Sequence, residues 1–268
     1  MCAAGSSLGG IIFPIMIRRL LDTVGFPWTM RIVGFMVLAL LALATICTSS
    51  FYKPQPYAEL KNKRFFDNSA ITTKEFGLLI LSYFLFMFGM YSSITYLPSF
   101  SLASGMNPNL SFYIASIQNA SSVFGRTIPP AMSDRLGRLN VQGSFMIISG
   151  LSVLCIWVTG TSHAQTIIFA IIYGFCTGSF VSLMVVCLTV ITKDMTVIGL
   201  RAGTMRFMIG FAIVAGVPAA GALIKPGEVS NYGYMHMQIF TGIFLLAGGI
   251  VFLLFRQIVT KNKWLVKI

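Results

Sequence analysis

The chain has 268 residues, of which 56% are apolar and only 10% charged, with a formal net charge of +12. A water-soluble domain carries roughly a quarter charged residues, and a mean hydropathy of +0.83 excludes that class. The apolar residues are bunched into blocks long enough to cross a bilayer, at about 20 residues per crossing. The expected fold class is therefore an all-α polytopic membrane protein. Strands are not expected, because the blocks lack polar alternation and open sheet edges cannot face lipid.

In chain order the blocks fall at 2–17, 28–50, 76–100, 110–132, 141–160, 165–192, 202–224 and 236–257. The first reads as an incomplete span and not as a secretory signal, since it has no basic leader and no cleavage site follows it. Residues 51–75 form the one long polar segment, with Pro54 and Pro56 stopping the helix before it. Thr72 followed by Glu75 predicts a capping box at the start of the next span.

The 110–132 block contains Arg126. A cation within a span costs roughly 3 kcal/mol or more at the bilayer centre, and such residues usually face a bundle interior or a watery path. Ser111, Gln118, Ser122 and Arg126 recur at helical spacing with Asn119 beside them, so one stripe of this helix is polar. Two readings stand for Arg126: contact with an anionic solute, or structural pairing with snorkelling toward the interface. It lies eight residues before Asp134, about 12 Å along a helix.

In the 165–192 block Tyr173, Thr177 and Phe180 share a face that either lines a cavity or fills the core, the second being the commoner fate of aromatic side chains. Gly5–Gly9, Gly174–Gly178–Ser182 and Ala212–Gly216–Ala220 repeat small residues every fourth position, which lets helices approach closely. Gly216 and Pro218 are expected to bend their helix, a candidate gating element. Tyr91 and Tyr96 are expected at a membrane interface.

With the first block running outward, fourteen of the 19 Lys and Arg residues fall on the cytoplasmic side, against Arg18, Arg19, Arg31 and Lys225 outside. The central polar segment and the C-terminus are then cytoplasmic. The positive charge is spread over several loops, so the expected partner is the anionic lipid bilayer and no nucleic acid. Trp264 is an expected interface anchor. All seven acidic residues (Asp22, Glu59, Asp67, Glu75, Asp134, Asp194, Glu228) are expected in loops or at helix ends.

Nothing points to an enzyme, a cofactor or a metal. Gly5-Ser6-Ser7-Leu8-Gly9 matches a nucleophile-elbow pattern, but no strand precedes it. His163 and His236 start different helices, and the five cysteines lack paired spacing and are expected to be buried small hydrophobes.

Asp134-Arg135-Leu136-Gly137-Arg138, between two spans, resembles the cytoplasmic loop signature of the major facilitator superfamily. The resemblance implies that Asp134, Arg135, Gly137 and Arg138 latch a gate; Pro130 stands where that family has a small Gly. The opening Ala3-Ala4-Gly5-Ser6-Ser7-Leu8-Gly9 and the text SIQNASSVFGRTIPPAMSDRLGRLN resemble the fungal branch of its monocarboxylate porter family. In that frame 1–50 are the fifth and sixth of twelve helices, a remnant of an N-terminal bundle. Residues 51–75 are the cytoplasmic linker, 76–257 the C-terminal six-helix bundle and 258–268 a cytoplasmic tail.

The implied function is secondary transport of a small organic anion, monocarboxylate-like, by alternating access in the plasma membrane. Export of a secondary metabolite or carriage of a vitamin are the alternatives within the family. A truncated membrane fragment without transport, with a regulatory or partner-binding role, is the alternative outside it; the expected protein partner is the missing N-terminal half or a second copy. The implied substrate contact is Arg126. The family's acidic partner four residues earlier, implicated in proton coupling, is Ser122 here. Gln118, Asn119, Ser122, Tyr173, Thr177 and Phe180 complete the candidate binding set.

Overall fold

A computed structural model describes residues 2–48, 73–160, 162–192, 197–225 and 232–261. The described residues form α1 (Cys2–Cys47), α2 (Lys74–Ala103), α3 (Pro108–Leu136), α4 (Arg138–Ser152), α5 (His163–Ile191), α6 (Ile198–Gly221) and α7 (Tyr232–Val259), and no strand. α4 runs on into a π-helical turn, Val153–Trp157, closed by the Val158 amide donating to the Val153 carbonyl at 3.0 Å. All helices but α3 are long and apolar enough to cross a membrane. The protein is an all-α, multi-pass membrane protein. At 29 residues α3 is as long as α5, but its serines, amides and Arg126 make it less apolar.

The chain divides into two units, residues 12–65 and residues 1–11 with 66–268. In the first, α1 continues through the loop expected between 17 and 28 and breaks only at Gly25, where φ is 71° and ψ 171°. Residues 18–24 include no helix breaker, whereas glycine takes that positive φ without a Cβ clash. Just past the break the Thr29 hydroxyl donates to the Gly25 carbonyl at 2.8 Å. The Arg31 guanidinium lies 5.1 Å from the Trp28 ring centroid, a cation–π contact. Residues 51–72 of the expected linker, with Thr72 of the expected capping box, and Trp264 in the tail lie outside the described residues. α2 starts one residue later than that box implies, with Thr73 as N-cap making no side-chain cap.

In the larger unit α3 packs on α5, α2 on both α6 and α7, and α4 between α5 and α7. The core is aromatic. Phe180 stacks on Phe86 with centroids 4.3 Å apart and meets the Tyr83 edge at 5.2 Å, while Phe169 lies between Trp157 (4.9 Å) and Tyr173 (5.1 Å). Outward residues such as Leu81, Phe112, Ile171 and Val214 remain exposed, as apolar surface facing lipid does. Cys176 and Cys187 are buried as expected, but Cys47 and Cys155 are exposed, because their positions fall on outward helix faces.

Local chemistry sets the helix ends. Asn107 caps α3 by accepting from the Asn109 amide, with Pro108 in the first turn. Ser162 and Gln165 form a reciprocal capping box on α5. Gly137 ends α3 and starts α4 at φ 91°, a reversal suited to glycine. Among the described acidic residues Asp22 lies in the last turn before the Gly25 break, Glu75 in the first turn of α2 and Asp134 in the last turn of α3.

Candidate functional site

The polar stripe of α3 is turned inward by its packing on α5. A Cβ on Gly174 would collide with the Gln118 carbonyl, and one on Gly178 would sit 2.5 Å from the Ser122 carbonyl. One turn on, the Ser182 hydroxyl donates to the Arg126 carbonyl at 3.3 Å. The expected small-residue repeat thus keys α5 onto α3 every fourth residue, and Gly125 answers by lying against the Phe175 carbonyl. Pro130, four residues after Arg126, has no N–H to give that carbonyl, so Ser182 supplies the missing donor.

This docking opens a cleft of about 200 Å³ lined by Met90, Tyr91, Ile94, Gln118, Asn119, Ser122, Arg126, Thr177 and Val181. α2, α3 and α5 each contribute a wall. Arg126 is the charged residue in that lining, which contains no carboxylate. Its Nε donates to the Ser122 hydroxyl at 3.3 Å, so the side chain folds back one turn along α3. Nη1 donates to the Ser6 hydroxyl of α1. Ser122 is also within 3.1 Å of Ser7, in a buried hydroxyl pair. Gly10 completes this edge of α1 by lying against the Asn119 amide, which a Cβ there would approach to 2.6 Å.

Of the candidate residues, the structure brings Gln118, Asn119, Ser122, Arg126 and Thr177 together around the cleft. Tyr173 and Phe180 are fully buried instead. The Tyr173 hydroxyl donates to the Met90 carbonyl at 3.0 Å, and Phe180 fills the aromatic core. Thr177 sits between them on the turn that faces the cleft. Its hydroxyl donates to the Tyr173 carbonyl at 2.9 Å.

Three sets of lining or supporting residues were not expected. Tyr91, assigned to an interface, lines the cleft beside Met90 and Ile94. Val181, one turn after Thr177, was legible from helical spacing alone. Ser6 and Ser7 gave no local signal, since their partners are more than a hundred residues away. Tyr96 donates to the Val217 carbonyl at 3.3 Å.

The gating candidates occupy other places. Asp134, exposed, and Arg138, half exposed, approach to 3.9 Å across the Gly137 turn, and solvent-facing pairs of this kind contribute little to stability. Arg135 lines a shallow groove with Thr127, Ile128, Ala131 and Met132. Gly216 lies against the Phe88 carbonyl, and its own carbonyl accepts from Ser92 at 3.3 Å. Pro218 falls in the last turn of α6.

No protein-family model matches the chain. Curated proteins do match it, over nearly its whole length. It is 37% identical over 271 residues to the MFS transporter asaE of Aspergillus flavus, covering 99% of this chain and 59% of that protein. Its relatives are MFS-type transporters. MFS-type transporter 1 of Ophiocordyceps sp. is 35% identical over 95% of this chain and 55% of its own length. The agnestins efflux protein AgnL12 of Paecilomyces divaricatus is 34% identical over 98% of this chain and 58% of its own. The chain therefore spans under two thirds of the length of these relatives.

Proposed function

We propose that the chain corresponds to the fifth to twelfth helices of a secondary carrier of the major facilitator superfamily, which exports a small anionic metabolite by alternating access. The observation that carries this reading is the cleft itself. A guanidinium, two amides and several hydroxyls from three helices converge on it inside an otherwise apolar bundle. Lipid cannot satisfy such groups, and a fixed cation recognises a carboxylate or an acidic enol well. Similarity to a protein described as an agnestins efflux protein supports export of a fungal product over uptake of a nutrient acid. Within the reading, Arg126 holds the anionic group, Ser122 and Asn119 flank it, and Asp134, Arg135, Gly137 and Arg138 form the cytoplasmic latch. The absent acidic residue at Ser122 argues against proton relay at that position.

The test is transport of labelled organic acids by the full-length protein in membrane vesicles. Arg126→Gln is expected to lower transport about tenfold or more, the usual scale for losing a charge-assisted hydrogen bond. Arg126→Lys, which keeps the charge without the planar fork, is expected to fall between. Unchanged transport of every accepted acid by Arg126→Gln would overturn the assignment.

A further inference from the structure

We propose that the Gln118 amide is a second recognition point, and that the substrate is a carboxylic acid with a hydroxyl group about 6 Å from its carboxylate. The inference rests on Arg126 holding the acid. Gln118 is 4% exposed and lines the cleft. Its Oε1 is buried without a hydrogen-bond donor among the described residues. Buried amide groups are ordinarily paired, and this oxygen, enclosed as placed, gains a partner only when the amide turns toward the cleft.

Three other polar side chains of the cleft, beside the Tyr91 hydroxyl, have partners within the protein. The Asn119 Nδ2 donates to the Ala115 carbonyl at 2.9 Å, the Thr177 hydroxyl donates within its own helix, and Ser122 accepts from Arg126. Half a turn about the last torsion of Gln118 exchanges Oε1 and Nε2, which are nearly equal in size. A hydroxyl suits either end, donating to the oxygen or accepting from the nitrogen. A methyl or ring C–H suits neither.

The spacing follows from the fold-back of Arg126. Its Nε reaches Ser122, so the guanidinium sits near the level of residue 122. Gln118 is one turn further along α3, about 6 Å at 1.5 Å per residue. Met90, Ile94 and Val181 supply apolar wall for the carbon skeleton joining the two groups.

Rigid acids measure this distance directly. In 4-hydroxybenzoate the hydroxyl is held across the ring from the carboxylate, in benzoate it is absent, and in 2-hydroxybenzoate it is turned onto the carboxylate. Binding of the three to the full chain in lipid nanodiscs is measured by calorimetry, with Gln118→Leu and Arg126→Gln alongside. The unaltered chain is expected to bind 4-hydroxybenzoate about three- to tenfold tighter than either other acid, the scale of one neutral hydrogen bond. Gln118→Leu abolishes that advantage while still binding benzoate, which also reports its folding. Arg126→Gln weakens all three acids together.

Equal binding of benzoate and 4-hydroxybenzoate by the unaltered chain overturns the Gln118 proposal without using any variant. Persistence of the preference in Gln118→Leu overturns it as well. If Arg126→Gln leaves all three affinities unchanged, or if none of the acids binds, the underlying anion site fails and this inference falls with it. Loss of affinity in Arg126→Gln without a hydroxyl preference keeps the anion site and removes only the second point.

Discussion

Arg126 is held from two directions, by Ser122 on its own helix and by Ser6 on α1. Both of these contacts are to neutral hydroxyls, which orient the guanidinium without neutralising it. Ser7 adds a second tie through Ser122. Ser7→Ala is expected to destabilise the folded protein by about 1 kcal/mol, because it strips one partner from a buried pair. The check is a thermal melt in detergent, and an unchanged midpoint would show that the hydroxyl pair contributes nothing. The polar stripe was legible at this scale because one helix carries it at a fixed period. The serines of α1 were not, since no spacing rule reaches from residue 7 to residue 122. Gln118 was legible as polar, but its unmet oxygen emerges only once its neighbours are placed.

At the scale of helices, the α3–α5 contact is a close approach of backbones. Gly178→Val would place a Cβ 2.5 Å from the Ser122 carbonyl and is expected to lower stability by about 1–3 kcal/mol. Gly210→Ala on α6 meets nothing within 4 Å and is expected to stay within about 0.5 kcal/mol of the parent. Parallel melts of the two variants separate a packing role from a general intolerance of glycine replacement; equal losses would refute the close-contact account. The small-residue periodicity announced this interface, although not which helix would lie across it. Helix existence was legible from hydropathy, and most ends agree within a few residues. The miss at residues 18–27 has a simple cause: two arginines and an aspartate look like a loop by composition, yet only Gly25 has the backbone freedom to break the helix. The 173–180 face was ambiguous for a different reason. Residues one turn apart point near the same direction, and only packing decides that Thr177 meets the cleft while its aromatic neighbours fill the core.

For the whole molecule, the proposed latch and the cleft separate binding from movement. Asp134 is exposed, eight residues beyond Arg126 along α3, and Arg138 opens α4. Asp134→Asn is accordingly expected to slow transport by the full-length protein severalfold in vesicles while leaving acid affinity within about twofold, since on the proposed reading it removes a latch contact and no ligand contact. A proportionate loss of affinity would place Asp134 in binding instead. The keyed seam between α3 and α5 carries one more implication. Its partners on α3 are the main-chain carbonyls of residues 118, 122 and 126, and every amino acid has a carbonyl. Evolution can therefore rewrite those three side chains, and with them the ligand of the proposed site, without disturbing how the helices mesh. A lineage that diversifies its chemical products would find in such a seam a socket whose fittings change while its thread does not.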